Sequence, residues 1–215
     1  MFKADRLMDK RMLIVLGLFF LAGCTTVEQK SKSAVERSAE IPTHQQMVIE
    51  PLWQVGDYWQ WSDGYGLEVS HVEGETTRFD RSDAEGQWIS RKGFFKEEAK
   101  SSTTYRKVVY RSKHPRAIFP LVKGNRVSFM REYMANNQLR VHRTSWTVEG
   151  QETINVPAGA FECWVLLMET RSANGDWKGY ERWWYSPEVK NYVRMEYRYG
   201  LTPESSRVLT KFGKR

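Results

Sequence analysis

Cys24 and Cys163 are the two cysteines of this 215-residue chain. With His44, His71, His114 and His142 they are its candidates for thiol or imidazole chemistry. A catalytic thiol needs a nearby base or a positive field to form thiolate near neutral pH. Cys163 instead sits in the stretch ETINVPAGAFECWVLL, residues 152 to 167, beside aromatic and aliphatic neighbours and with no local nucleophile motif. Free cysteine in such company packs as a small hydrophobe, which is the role expected here. There is no glycine-rich phosphate loop, no serine elbow and no Cys/His spacing for zinc. The paired carboxylates Glu97 and Glu98 fall in a charged run, Lys96 to Lys100, that reads as a solvated turn. The expectation is a protein that is not an enzyme and that needs neither metal nor cofactor. A cryptic thiol-dependent enzyme, joining Cys163 to one of the histidines in space, is the catalytic alternative.

Cys24 has a different setting. Lys10 and Arg11 precede an apolar run, Met12 to Leu21, and Ala22-Gly23 leads into the cysteine. That run is too short for the ~20 residues a membrane-spanning helix needs. A basic edge, a short apolar segment and small residues before a cut describe a secretory signal. Leu21-Ala22-Gly23-Cys24 closely resembles the bacterial lipobox. The resemblance implies that residues 1–23 are a lipoprotein signal peptide, that the Cys24 sulfur is diacylated and that the new amine is acylated too. Two or more chains such as palmitate anchor a protein stably, at ~0.8 kcal/mol per buried CH₂. Thr25, rather than Asp, follows the cysteine. By the Gram-negative sorting rule that residue favours the outer membrane, with the chain facing the periplasm. A thioether at Cys24 leaves Cys163 as the one thiol of the mature chain and excludes an internal disulfide.

The organisation beyond Cys24 follows composition. Residues 24–50 are polar and contain no aromatic residue, so they read as a flexible tether. A chain of that length has a reach on the order of 30 Å. From Leu52 the character changes, and all nine tryptophans lie beyond it. Residues 51–202 are read as one antiparallel β domain and residues 203–215 as a basic C-terminal tail. The signal peptide carries Lys3, Arg6, Lys10 and Arg11 against Asp5 and Asp9, so its removal lowers the formal charge from +7 to +5. A mildly basic periplasmic protein hints at anionic neighbours and argues against nucleic acid.

Alternation replaces helical periodicity throughout the domain. In Tyr192–Tyr199, YVRMEYRY, Val193, Met195, Tyr197 and Tyr199 share one face, while Arg194, Glu196 and Arg198 take the other. Such period-two patterning predicts half-buried strands. Similar segments occur at residues 57–62, 67–72, 103–111, 126–133, 139–148, 152–156, 161–170 and 180–185. Between the sixth and seventh of these, Val156-Pro157-Ala158-Gly159 reads as a three-residue hairpin with a bulge at the glycine. Many short strands without a long amphipathic helix give an all-β fold. The expectation is an antiparallel sheet, as a sandwich or a curved half-barrel.

Two surfaces stand out as candidate binding sites. From Ala99 to Arg131 there is no acidic residue, and alternation puts Lys107 and Arg111 on one side of their strand and Arg106 on the other. Lys107, Arg111 and Lys113 are the candidate residues for an anionic partner such as a lipid or lipopolysaccharide, unless Lys113 belongs to the turn before Pro115. The bland alternative is a solvated face neutralised by the acids between Asp57 and Glu98. Trp177, Trp183 and Trp184 crowd one hairpin and form the candidate aromatic surface. Because Trp183 and Trp184 are successive, they must point to opposite faces of their strand.

The motifs Trp53-x-x-Gly56-Asp57-Tyr58-Trp59, Phe119-Pro120-Leu121-x-x-Gly124, Val156-Pro157-Ala158-Gly159-x-Phe161 and Trp184-Tyr185-x-Pro187-Glu188-Val189 occur in that order. Over residues 52–200 the chain resembles a group of poorly characterised bacterial envelope proteins, often lipoproteins, built on a mostly antiparallel β domain. The resemblance implies a fold and no catalytic residue. More loosely, the expected architecture is similar to the half-barrel lipoprotein carriers whose curved sheet holds acyl chains. The functional expectation is a binding or accessory role in cell-envelope maintenance or assembly. Its partners would be the membrane, through the anchor, and a lipid, lipopolysaccharide or envelope protein. A glycan-binding module using exposed aromatics is the alternative.

Overall fold

The computed structural model describes residues 48–135 and 137–215, so the signal peptide, Cys24 and the tether before Val48 lie outside the described residues. Twelve strands follow in order: β1 (Asp57–Trp61), β2 (Gly66–Glu73), β3 (Thr76–Arg81), β4 (Trp88–Lys92), β5 (Phe95–Lys100) and β6 (Tyr105–Arg111), then β7 (Arg126–Ala135), β8 (Gln138–Val156), β9 (Gly159–Ser172), β10 (Lys178–Ser186), β11 (Asn191–Tyr199) and β12 (Ser205–Lys214). A single 3₁₀ turn, Pro115–Ile118, lies between β6 and β7. Each strand pairs antiparallel with the next, and β1 pairs with β12, so the sheet is a closed barrel.

Closure depends on Gly56. Its N–H donates to the Val69 carbonyl at 2.9 Å, and its carbonyl accepts from the Arg215 N–H at 2.9 Å. It holds φ +89°, and a Cβ there would lie 2.8 Å from the Arg215 carbonyl oxygen. Glycine alone fits both the dihedral and the approach.

The alternation read from sequence is visible in β11, where Val193 and Met195 are buried. Four elements extend the barrel beyond the strands expected. β3, β4 and β5 occupy residues 76–100, and β12 runs through the stretch read as a tail. In three of them the pattern is masked by charge on the inner side, at Arg91 of β4, Lys96 of β5 and Arg207 of β12, although in β12 the inward Leu209 is fully buried and pairs in register with Trp61 of β1. The run Lys96–Lys100 is strand β5 rather than a turn, paired with β4 and β6. Residues 139–156 form one strand, not two, because a register shift between Val148 and Gly150 lets β8 continue past the glycine. Val156 pairs directly with Gly159, which leaves Pro157 and Ala158 as a two-residue connection instead of three. Gly159, at φ +139°, serves as the first residue of β9, where a Cβ would press on the Phe161 ring at 3.3 Å.

In an up-and-down meander, connections from even to odd strands share one end of the barrel, and odd-to-even connections share the other. The first end is packed solid. Trp53 Nε1 donates to the Lys190 carbonyl at 2.9 Å and Trp59 Nε1 to the Val189 carbonyl at 2.8 Å. Phe94, from the β4–β5 connection, packs edge-on against Tyr185 at 4.4 Å. Ile118 of the 3₁₀ turn is buried, and Val48 forms a β-bridge with Leu121. Buried aromatics each remove a large apolar area from water and keep their N–H groups satisfied, so this plug is both apolar and fully bonded at its indoles. Twelve strands enclose more space than the side chains of an eight-stranded barrel would fill, and the other end is not filled.

Candidate functional site

A cavity of about 480 Å³ occupies the unfilled part of the lumen, within the range of ~300–1,000 Å³ usual for small-molecule sites. Its inner walls are aromatic: Phe94, Phe129, Trp146, Trp183 and Tyr192 line it, with Met168 and Met195. Trp146 and Trp183 meet edge to face at 5.1 Å. Trp183 also packs against Tyr192 at 5.0 Å. Tyr65 and Trp177 reach it from the β1–β2 and β9–β10 connections, both at the odd-to-even end. Arg106 and Arg207 near the starts of β6 and β12, and Tyr133 and Tyr199 near the ends of β7 and β11, belong to that same end.

Charge in the lumen is one-sided. Arg91, Lys96, Arg106, Arg131 and Arg207 all line the cavity, and Glu181 is the single carboxylate among them. Arg207 is held by Asp63 at 2.9 Å and donates to the Tyr197 hydroxyl at 3.3 Å. Glu181 accepts from Trp183 Nε1 at 2.9 Å and from the Tyr199 hydroxyl. The other four cations have no carboxylate oxygen within 4.0 Å among the described residues. Arg91 is only 5% exposed, and its Nη1 is buried without a hydrogen-bond partner, as is the Nε of Arg131. Lys96 keeps open surface because it stands in the void, with protein around it. Burial pushes its ammonium down to about 8, and the neighbouring guanidinium of Arg91 adds to that; Arg106 and Arg131 act in the same direction more weakly, against Glu181. Ring faces partly offset the isolation: Arg106 lies 4.7 Å from the Tyr133 centroid and Arg91 5.1 Å from that of Phe79.

The expected site residues are distributed differently. Lys107 and Arg111 project from the outer wall, where they meet Glu98 at 3.8 Å and Glu132 at 3.1 Å. Lys113 is exposed beyond the end of β6, in the bend before Pro115. Arg116 from the same basic stretch is clamped by Glu50 and Glu75, each at 2.7 Å. Arg106, on the opposite parity, turns into the cavity together with Val108 and Tyr110. Trp183 lines the cavity, whereas Trp184 points away from it and is buried under Arg194 with its Nε1 on Glu152 at 2.8 Å. Trp177 stacks on His142 at 4.9 Å and, with Tyr133, lies between the cavity and a second groove. The three tryptophans therefore do not share one surface.

Cys163 is 1% exposed, and its thiol donates to the Phe161 carbonyl at 3.6 Å. Burial, with a smaller contribution from Glu152, pushes the thiol up to about 12, which leaves no thiolate near neutral pH. His142 is buried against Trp177 and Tyr133, and desolvation, reinforced by Arg131, Arg140 and Arg106, lowers it to about 4. Of the inward cations, Arg106 and Arg131 belong to the acid-free stretch, and the parity that separates Arg106 from Lys107 is visible in sequence; Arg91 and Lys96 carry no such signal.

Fold and site together define a closed antiparallel barrel, plugged at one end, with a cation-lined aromatic cavity at the other. Residues 120–199, from the segment before β7 to the end of β11, match the model of a family described as DUF3108-like. No curated protein matches the chain. Among solved structures, the chain is similar to the hypothetical lipoprotein YmcC from Escherichia coli, at 12% identity and TM-score 0.49, over 72% of this chain and 82% of that one. A protein with a YmcC-like fold from Bacteroides fragilis is 14% identical at TM-score 0.44, over 78% of this chain and 100% of that one. A third, from Parabacteroides distasonis, is 15% identical at TM-score 0.40, over 79% and 100%.

Proposed function

We propose that this chain is a non-enzymatic envelope lipoprotein, anchored through acylated Cys24 to the periplasmic side of the outer membrane, whose barrel binds an envelope molecule with an apolar part. The observation that carries the binding role is the cavity of about 480 Å³, walled by aromatic rings, inside a barrel whose opposite end is packed solid. A fold that stabilised itself only by packing would fill that space, because a void forfeits contact energy along its whole lining. A binding role fits better than thiol catalysis, since the Cys163 thiol is buried and held far above neutral. The anchor rests on Leu21-Ala22-Gly23-Cys24 and the sorting on Thr25.

Native mass spectrometry of the full-length protein purified from membranes tests this reading. The expected spectrum shows a multiply acylated chain beginning at Cys24 and a fraction carrying a non-covalent molecule. Cys24→Ser should abolish acylation. An acylated species of unchanged mass in that variant would overturn the anchor, and a cavity that takes up neither a retained molecule nor an added apolar probe would overturn the binding role.

A further inference from the structure

Like charges facing one another across neighbouring strands are destabilising, and a buried charge without a partner costs several kcal/mol. The lumen holds one such facing pair and two further cations without an acid of their own among the described residues. Arg91 of β4 and Lys96 of β5 are register partners, and Arg106 of β6 and Arg131 of β7, which stand opposite Ala99 and Tyr110 in register, line the same cavity from the next two strands. Four adjacent strands thus each place one cation on the cavity, while Glu181 of β10, already bonded by Trp183 and Tyr199, is the one acid there. The outer face of β6 is treated in the opposite way. Lys107 and Arg111 of β6 are each given a carboxylate. On β6 the outward charges are paired, and the inward Arg106 is left unpaired on the wall that lines the cavity.

Resting on the binding role proposed above, we infer that the cavity takes an amphiphile with a phosphate head, the head held by Arg91, Lys96, Arg106 and Arg131 and the apolar part lying on Trp146 and Trp183. Three of the four are arginine, whose planar fork matches phosphate oxygens bidentately. A carboxylate would neutralise one of the four charges; a phosphate monoester brings about −1.5 to −2 at pH 7. The unpartnered Nη1 of Arg91 and Nε of Arg131 supply buried donors that nothing in the described chain satisfies. Rings and cations border one void of about 480 Å³, so a single molecule can place its head and its tail there together.

The test titrates the full-length acylated protein in an uncharged maltoside detergent with octyl phosphate, octanoate, octanol and inorganic phosphate, read by tryptophan fluorescence and calorimetry. Octyl phosphate should bind about tenfold or more tighter than octanol, since only its head can accept charge-assisted hydrogen bonds from the four cations, and that margin should shrink with salt. Lys96→Met and Arg106→Gln, on different strands, should each lower octyl phosphate affinity while leaving octanol unchanged, so an unfolded variant is recognised by loss of both. Lys107→Gln, on the outer wall, should change neither. Equal binding of octyl phosphate and octanol would overturn the head-group inference and leave the binding role standing. Octanoate as tight as octyl phosphate would overturn the assignment to phosphate, and inorganic phosphate as tight as octyl phosphate would overturn the amphiphile. No binding by any of the four would overturn the inference and the binding role together.

Discussion

Arg91 and Lys96 stand opposite each other across β4 and β5 with both side chains on the cavity, and neither has an acid within ion-pairing distance among the described residues. Such a pair strains the empty barrel and suits an anion. Lys96→Met should therefore act with opposite signs on stability and binding. The empty protein should gain about 0.5–1 kcal/mol, the cost of opposed like charges, seen as a higher urea midpoint at unchanged slope. A lower midpoint would show that the ammonium is satisfied in the empty barrel.

The same residue sets a pH dependence. Lys96 is held at about 8 against an ordinary 10.5. Between those values the unfolded chain binds more protons than the folded one, so this group makes stability rise with pH across that window. Burial depresses Lys96 most, Arg91, Arg106 and Arg131 act in the same direction, and Glu181 opposes them. Tyr110, Tyr192 and Tyr199 on the same walls are all raised by burial, so near pH 10 the unfolded chain gives up their protons before the folded one does; that contribution lowers stability with pH and is shared by the Lys96→Met variant. Urea midpoints from pH 7.5 to 10 should rise in the wild type relative to Lys96→Met. Affinity for an anionic probe should fall over the same interval. Parallel curves for the two proteins would remove Lys96 as their cause.

The fold was legible where one face of a strand is dry. Val193 and Met195 in β11, and Cys163 to Leu166 in β9, announce their strands because burial there demands apolar side chains. The cavity was not legible, for a physical reason. An inward position on a wet lumen tolerates arginine, so alternation in β6 separated Arg106 from Lys107 without saying which side was inside. Closure was hidden as well, since β12 contacts both β1 and β11 through backbone bonds that leave little trace in residue type.

Cys163 should behave as packing. Cys163→Ala removes a small buried group and should cost about 1 kcal/mol with probe binding retained. Cys163→Asp puts a carboxylate among apolar neighbours and should prevent folding. The native thiol, pushed up to about 12, should react with a bulky disulfide reagent only at the rate of unfolding. Fast labelling in the folded protein, with binding lost in Cys163→Ser at unchanged stability, would assign it chemistry instead.

The outer cations make a separate prediction. Lys107 and Arg111 pair with Glu98 and Glu132 in solvent, and exposed pairs contribute ~0–1 kcal/mol. Replacing Lys107, Arg111 and Lys113 together by Gln should shift the melting temperature by no more than about 2–4 °C. Probe binding in the cavity should be unchanged. Weaker attachment of the triple variant to anionic vesicles at low salt would give this face a membrane-contacting role of its own.

Leu209 tests the closure of the barrel. It is fully buried and in register with Trp61, whose Nε1 donates to the Tyr192 carbonyl at 3.2 Å on the cavity wall. If residues 205–214 were a solvated tail, truncating this leucine would have no effect. As a strand that closes the sheet, β12 should lose about 2–5 kcal/mol on Leu209→Ala, the usual range for a buried leucine. Ser206→Ala, at an exposed position of the same strand, should stay within ~0.5 kcal/mol of the wild type. Urea unfolding of the two variants decides between strand and tail, and amide exchange adds a spatial check. With β12 in place, the N–H groups of β1 and β11 that bond to it are protected together; equal midpoints and fast exchange along both strands would open the barrel.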